Sequence, residues 1–591
     1  MSKSKKKQYP RSENAIPSAK PKNTTADKPQ QGWNANVVFR ESVEAVAIAF
    51  ILAFLVRTFE AEAFVIPTGS MATTLMGRHK DVECPMCKYH YQVSDSIGTD
   101  SRTGEVREGI DVLESICPIC GYDMDIRHDR PFSGDRILVN KLIYCFQDPD
   151  RWDVAVFKYP ETAQTNFIKR LVGLPNETLK ISRGDLWVRK KGDTDFTIAR
   201  KPPKKLLAML KVVDDLDYVL PDKLLAQGWP ARWQPDPQTP GWTVADDYKS
   251  FAIDGSSPKA AWLRYHHYVP NAGVWGAVDH GRLRPDYHPP AQLISDFCSY
   301  NSGLNGSTTP QGRSRYPHSG RPQAGGLHWV GDLAVSCTAD VRGSKGQLVF
   351  ELIEGGRQFQ CHIDVATGQA ELTIVGDKFH RVGQTPIRGP GTHDILFSNV
   401  DHQLRLWVDD KLIMFDGPTT YKPLGNTMPQ EADLSPVGIA SLGADVEISH
   451  IKVLRDIYYI AVRSDDPSLR FSGGMCDYKT PFQIFREPCT PEAITRFLSD
   501  PRRWPDAFSD QSMKTVEFQL GPDQFLMLGD NSAQSKDSRL WDNNEYFVDR
   551  ELLIGKALFI YWPHSWDEVS IGNTKIPFPF FPNVKRMRFV R

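Results

Sequence analysis

Hydrophobic positions along this chain fall into three regimes. From Val43 to Phe59 they run almost without interruption, and Ala45 to Val56 carries no polar residue. Crossing the hydrocarbon of a bilayer takes roughly 20 apolar residues. The run must therefore borrow Val37, Val38 and Phe39 at one end and Phe59 to Ile66 at the other, with Arg40, Glu44 and Arg57 reaching for head groups. The pattern predicts a membrane-spanning helix over residues 37–62. Beyond it, Arg136-Ile-Leu-Val139 and Val154-Ala-Val-Phe157 are short β-branched or aromatic runs bounded by Gly, Asp and Pro, hence strands. Leu179-Lys-Ile181 and Leu186-Trp-Val188 around Gly184-Asp185 predict a hairpin. Phe525-Leu-Met-Leu528 and Ala557-Leu-Phe-Ile-Tyr-Trp562 are of the same kind.

The third regime is alternation. Leu333 to Val341, Gln347 to Ile353, Phe359 to Val365, Glu371 to Val375, His393 to Phe397, Gln403 to Val408 and Lys411 to Phe415 follow one another at the spacing of a β-sandwich, with Asp409-Asp410 as one of the turns. That predicts a sandwich over residues 325–455. Residues 200–324 mix Pro, Gly, Trp and charges without sustained periodicity and are expected to form an irregular insert, and residues 456–514 a connecting segment.

At 591 residues the chain is too long for one core and should hold three or four domains. Lys and Arg number 71 against 72 Asp and Glu, so a dedicated nucleic-acid binder, which would show a basic balance, is excluded. Charge is localised instead at the start, where Lys3, Lys5, Lys6 and Lys7 lie in a Pro- and Ser-containing stretch that predicts a disordered basic tail over residues 1–36. Those lysines would keep the N-terminus cytoplasmic and place the rest of the chain outside. Ala61-Glu-Ala63 has the small-x-small look of a cleavage site, which leaves release of the chain at Ala63 as an alternative to anchoring.

Five stretches carry the chemistry: Phe64-Val-Ile-Pro-Thr-Gly-Ser-Met71, Gly134-Asp-Arg-Ile-Leu-Val-Asn-Lys141, Val156-Phe-Lys-Tyr-Pro160, Phe167-Ile-Lys-Arg-Leu-Val-Gly-Leu-Pro175 and Gly529-Asp-Asn-Ser-Ala-Gln-Ser-Lys-Asp-Ser-Arg539. In this order, after an apolar segment, they resemble the type I signal peptidase (leader peptidase) family, whose members remove signal peptides from exported proteins. A serine hydroxyl is a poor nucleophile at neutral pH and needs a base beside it. Lysine can be that base only when its pKa falls from about 10.4 toward 7 or 8, a shift that costs about 3 to 5 kcal/mol of ammonium stabilisation. Phe167, Ile168, Leu171, Val172 and Leu174 offer Lys169 the apolar wrapping this requires.

The resemblance implies Ser70 as nucleophile, Lys169 as general base and Thr68 as an oxyanion donor together with the Ser70 backbone N–H. It implies further that Ser535 hydrogen-bonds and orients the lysine, and that Asp537 and Arg539 form a supporting charge pair. Asp530 and Asn531 are expected to hold the loop. Phe64, Ile66, Met71, Leu75, Val139 and Ile168 match the apolar substrate-binding surroundings, which accept small residues one and three places before the cut. The substrate would lie as a strand beside Phe64 to Thr68. The chain departs from the family in Ser70-Met-Ala-Thr-Thr-Leu75, which lacks a proline, and in Leu174-Pro-Asn-Glu177.

Cys84-Pro-Met-Cys87 and Cys117-Pro-Ile-Cys120 form two Cys-x-x-Cys knuckles. Four thiolates so spaced suit structural, tetrahedral zinc, with two disulfides as the alternative. Cys337 with Cys361 and Cys476 with Cys489 are further candidate pairs. The fold expected from all of this is mainly β. It comprises an N-terminal transmembrane helix, a β-rich signal-peptidase catalytic domain split between residues 63–190 and 515–591, a zinc-ribbon-like insertion at 82–129 and an inserted β-sandwich resembling a concanavalin-type jelly roll. The expected function is membrane-bound cleavage of exported preproteins after Ala-x-Ala-like sites, with no cofactor for catalysis, in a single-pass protein of the cytoplasmic membrane. The rival is a membrane-tethered protein that binds a glycan or protein through the sandwich and carries an inert peptidase domain.

Overall fold

The computed structural model describes residues 39, 42–50 and 61–591, apart from 97–98, 100–109, 285, 308–325, 424, 426–427, 467–468, 470–474, 479–490, 508–512, 542–544, 566–567, 572–573 and 578–581. The expected basic tail, residues 51–60 of the expected span, and Cys489 lie outside the described residues. Residues 42–50 are helical, with Val46, Ile48 and Phe50 open to their surroundings. No helix among the described residues is long and apolar enough to cross a membrane. The borrowing expected at the C-terminal end fails. Ala61–Val65 is a strand, paired antiparallel from Ala61↔Asn140 to Val65↔Arg136. Its backbone groups are satisfied by a neighbouring strand and not by continuing a helix.

The structure is mainly β. One sheet is ordered Ala61–Val65, Arg136–Asn140, Leu553–Trp562, Val154–Tyr159, Thr162–Gly173, Gln524–Leu528 and Val548–Asp549, with Arg588–Phe589 paired to Leu553–Trp562. Both ends of the chain thus interleave in one sheet, and Ala61–Val65 is an edge with one neighbour. A second sheet holds Thr197–Ile198, Asp185–Lys190, Glu177–Ser182 and Thr515–Gln519. The expected hairpin is there, but its turn is Arg183-Gly184, both at positive φ (55° and 88°), with Asp185 already in the strand. Two left-handed residues match the twist of a two-residue hairpin, which a Gly-Asp turn shifted by one place would not.

Two antiparallel sheets built around Leu333–Val341 and Gln347–Glu354 share one buried core containing Val335, Phe350, Phe359, Phe397 and Leu406. This is a sandwich, and the expected boundary at 325 is too narrow. Lys211–Asp215, Thr243–Val244 and Ser250–Asp254 join one sheet, and Trp233–Pro235 and Ala261–Tyr265 the other, so the stretch expected to be irregular contributes five strands. Ser250-Phe-Ala-Ile-Asp and Ala261-Trp-Leu-Arg-Tyr do alternate, burying Phe251, Ile253, Leu263 and Tyr265. Each run is only five residues long, and the Pro- and Gly-rich loops between them hid the period. Cys337 and Cys361 are free thiols in this core, and Cys476 is also free.

The cysteine arm leaves and rejoins the catalytic sheet between Met71 and Arg136. It contains a sheet of His79–Glu83, His90–Ser94 and Pro131–Phe132, and a pair of strands, Ile110–Ile116 and Asp123–Asp125, that Leu304–Ser307 from the 200–324 stretch joins along Ile110–Ile116.

Candidate active site

Strand alternation places the site. In the strand Thr162–Gly173, Lys169 is opposite Ala155 and Arg170 opposite Val154, so the two cationic side chains leave opposite faces. Lys169 points at a short turn of 3-10 helix, Gly69–Met71, that follows the edge strand. There its Nζ lies 2.8 Å from Ser70 Oγ and 3.0 Å from the Ile168 carbonyl oxygen. Both partners are nearly inaccessible, Lys169 at 4% and Ser70 at 8% exposed, and the Phe167 ring covers the Nζ with its centroid 5.1 Å away. Burial pushes the Lys169 pKa down from 10.5 to about 8, against the upward pull of Asp537 and Asp530.

Arg170 does not repel this lysine. Its guanidinium grips Asp530 through two bonds of 2.7 and 2.6 Å, and donates to the Trp152 carbonyl at 2.7 Å. Both charged groups of the pair are fully buried. Asp530 also accepts from the Thr74 hydroxyl, so one carboxylate fastens the lysine strand to the nucleophile turn. Asn531 completes the fastening: its N–H donates to the Ser70 carbonyl at 3.1 Å and its Nδ2 to the Gly69 carbonyl at 3.0 Å. Asp530 and Asn531 therefore sit where the sequence expected them, as holders of the loop. Gly529 is required by this closeness, because a Cβ there would stand 2.4 Å from the Ser70 carbonyl oxygen and 2.2 Å from Ser535 Oγ.

Asp537 and Arg539 pair through two bonds of 2.8 Å, both fully buried, and Asp537 accepts the Gly529 N–H at 3.0 Å. Arg539 spreads its remaining donors over the Ile460 carbonyl and Ser532. Ser535 is different from expectation. Its hydroxyl is buried under Gly529 with no hydrogen-bond partner, and the Lys169 Nζ bonds are to Ser70 and Ile168 instead. The side-chain hydroxyl of Thr68, the residue that caps the turn in extended conformation (φ −123°), makes no capping bond. It is half-buried and free to meet a ligand atom.

The six residues expected to line the substrate path all belong to one cluster with Ile137, Val154, Val156 and Ile560. Within it Met71, Leu75 and Val139 are fully buried and Ile66 nearly so, which makes them the backing of the site, while Phe64 and Ile168 remain partly exposed and can touch a substrate.

Several residues at the site had no signal in the sequence. Asn301 exchanges two amide hydrogen bonds with Asn531, at 2.7 and 2.8 Å. Tyr300 packs against Gly69. Lys211 donates to Thr73 Oγ1 at 2.9 Å, and burial lowers its pKa to about 8. All three come from the stretch expected to be irregular, and nothing local marks an isolated Asn, Tyr or Lys as a neighbour of Ser70.

The four knuckle cysteines also converge. Each knuckle is closed in the same way, Cys84 N–H to Tyr89 O and Lys88 N–H to Cys84 O in one, Cys117 N–H to Tyr122 O and Gly121 N–H to Cys117 O in the other. Lys88 and Gly121 both have φ 65°. Sγ atoms of Cys84 and Cys120 lie 3.5 Å apart, as do those of Cys87 and Cys117, and all four are free thiols within 4.8 Å of one another.

The family model described as signal peptidase, peptidase S26, matches residues 128–219 and 491–562. Over those residues the chain is similar to the peptidase S26 family. They include Lys169, Ser535, Asp537 and Arg539; Ser70 lies upstream, and its place rests on the geometry above. Among curated proteins, the chain is 33% identical over 94 residues to probable signal peptidase I-2 of Synechocystis sp., covering 15% of this chain and 43% of that one. It is 24% identical over 218 residues to signal peptidase I of Leptolyngbya laminosa, covering 36% and 77%. The chain spans less than half the length of the relatives it matches at 33%, 47% and 42% identity. Among solved structures, the carbohydrate binding module CBM66 from Bacillus subtilis aligns over 38% of this chain and 94% of its own at 8% identity; its TM-score of 0.21 is too low to bear on fold or ligand.

Proposed function

We propose that this protein is a serine endopeptidase that removes signal peptides from exported preproteins, with Ser70 as nucleophile and Lys169 as general base. The observation that carries the reading is the 2.8 Å contact between Ser70 Oγ and a buried lysine whose pKa is held at about 8. Neutral Lys169 accepts the Ser70 proton as Oγ attacks the scissile carbonyl. The new oxyanion takes hydrogen bonds from the Ser70 N–H and the Thr68 hydroxyl, each such donor contributing on the order of 3 kcal/mol. The lysine ammonium then gives its proton to the leaving amine, and a water repeats the sequence to free the acyl serine. Ammonium formation in a dry site is stabilised by the two acidic groups that act on it, Asp537 and Asp530.

The substrate enters as an extended strand along the free edge of Ala61–Val65, where main-chain bonds give affinity and the apolar wall of Phe64 and Ile168 favours small side chains before the cut. Exported preproteins are thus the partners, and the membrane anchor would hold the site at the extracytoplasmic face of the cytoplasmic membrane.

Structural zinc fits the four cysteines. A tetrahedral sulfur site with bonds near 2.3 Å has ligand edges of about 3.8 Å, close to the 3.5 Å seen here. Such an ion would tie the two knuckles together and leaves no open position for chemistry. The test of the peptidase is cleavage of an Ala-x-Ala preprotein by detergent-solubilised protein, wild type beside Ser70→Ala and Lys169→Ala. Cleavage by wild type alone sustains the dyad; cleavage by all three sinks it, and inactivity of all three returns the protein to the class of tethered binding proteins.

A further inference from the structure

His79, Asp81 and His564 meet where the root of the cysteine arm touches the chain that follows Leu553–Trp562. His79 is fully buried, and its Nδ1 lies 2.6 Å from the Gly77 carbonyl oxygen. A carbonyl only accepts, so Nδ1 carries the proton and Nε2 presents a lone pair. That Nε2 is buried without a hydrogen-bond partner and faces Asp81 Oδ1 at 3.6 Å. His564, 6% exposed, places Nε2 2.7 Å from Asp81 Oδ2, while its Nδ1 has no partner. One ligand atom from each of the three residues lies within 4.8 Å of the others.

We propose that His79, Asp81 and His564 form a metal site separate from the cysteines, one that takes a divalent transition cation of the zinc or cobalt class. Two imidazoles and a carboxylate are the borderline donor set such ions prefer. The Asp81 carboxylate stands between the two imidazoles, Oδ1 3.6 Å from His79 Nε2 and Oδ2 2.7 Å from His564 Nε2, and one ligand atom from each residue comes within 4.8 Å of the others, near enough to close on a tetrahedral N/O site whose ligand edges are about 3.3 Å. The bond from His79 Nδ1 to a backbone carbonyl is the arrangement that fixes the tautomer of a metal-binding imidazole. Gln92 Nε2, 3.0 Å from Asp81 Oδ1, orients the carboxylate in the same way. Phe132 flanks both rings, at 6.2 and 4.7 Å between centroids, and keeps the pocket apolar.

The charge near His79 from outside the cluster is Arg586, which is itself held by Asp135 at 3.1 Å. Ion binding at His564 Nε2 would displace the hydrogen that this nitrogen shares with Asp81, and the unpartnered Nδ1 can carry it. The Asp81 side chain is 30% exposed, and three protein ligands leave a fourth position for water. Through Gly77 the site leans on the nucleophile turn: a Cβ on Gly77 would stand 2.2 Å from the Thr68 carbonyl carbon.

The test is a cobalt(II) chloride titration of the full chain after chelator treatment, followed by absorption. Wild type should show two components, one with intense thiolate-to-cobalt charge-transfer bands and one with weaker visible bands only. His79→Asn and His564→Asn should lose the second component and keep the first; Cys84→Ser with Cys117→Ser should do the reverse. Asp81→Asn, a change at a partly exposed side chain that leaves the buried imidazoles in place, should weaken the second component tenfold or more. Circular dichroism checks each variant for folding. A wild type without the second component, or a second component that survives Asp81→Asn and both histidine changes at full affinity, overturns the proposal.

Discussion

With Lys169 as the proposed base, its pKa sets both a rate profile and a stability cost, and the two must move together. At a pKa of about 8 the neutral fraction is about 1% at pH 6, about 10% at pH 7 and about 90% at pH 9. An unperturbed lysine would supply roughly 300-fold less base at pH 7. The expected kcat/KM for an Ala-x-Ala peptide therefore climbs nearly tenfold per pH unit below 7.5 and levels off above 9. On the stability side the folded state holds the ammonium less well than the unfolded chain, whose lysine titrates near 10.5. Between pH 8 and 10.5 the unfolded state binds more protons, so stability rises with pH across that window. Below pH 8 the full cost is present, about 3 kcal/mol at about 1.4 kcal/mol per pH unit. Because the side chain is only 4% exposed, solvent screening does not reduce the figure much. Replacing the amine with a thioether of similar shape removes the cost, so Lys169→Met should be inactive yet more stable than wild type at pH 7, with the difference vanishing by about pH 10.5. The assays are peptide cleavage from pH 6 to 10 and urea unfolding at pH 7, 9 and 10.5. A rate that is flat from pH 6.5 to 8.5, or a Lys169→Met protein no more stable at pH 7, would refute the reasoning.

Three further outcomes are expected. Thr68→Val should lower kcat by about 100- to 1000-fold with little change in KM, and Thr68→Ser should restore most of it, measured by steady-state cleavage. Arg170→Met leaves the Asp530 carboxylate buried without its partner and should cost about 3 to 5 kcal/mol in urea unfolding, whereas Arg170→Met with Asp530→Leu should recover much of that loss. Chelation at neutral pH, or Cys84→Ser, should release one zinc per chain from the four-cysteine site as read by metal analysis, and lower the Tm of the arm without altering the pH midpoint of cleavage.

The parts of the fold that could be read in the sequence are those where a local period is long enough to stand out. Leu333–Val341 and Gln403–Val408 alternate over six or more residues and appear with the bounds expected. Ser250–Asp254 and Ala261–Tyr265 obey the same rule over five residues and were lost between loops. At the site, Ser70 and Lys169 were legible because each sits inside a compact motif, and strand alternation does the rest. The Arg170–Asp530 pair was not, since nothing near Arg170 in the sequence points to a partner 360 residues away. Ser535 shows the opposite error: the motif supplied a hydrogen bond to the lysine that this arrangement of the turn does not make. The end of the apolar segment misled for a physical reason, because Ala61–Val65 is apolar enough for a membrane and equally suited to a sheet edge, and only its partner Arg136–Asn140 decides.

The reciprocal amide pair between Asn301 and Asn531 has a bearing on when this enzyme can act. Ser70 leaves the ribosome early, but the Gly69 carbonyl waits for an Asn531 side chain 462 residues further along, and that side chain is itself held by Asn301. Until both have been made, the nucleophile turn has neither its clamp nor its lysine strand fastened by Asp530. A chain still in synthesis would thus carry a serine without a working site, beside an Ala61-Glu-Ala63 sequence of the kind that the proposed specificity would cut. By the time the site is assembled, those residues are engaged in the edge strand of the catalytic sheet, and only the still unfolded segment of a younger neighbour would stay open to it.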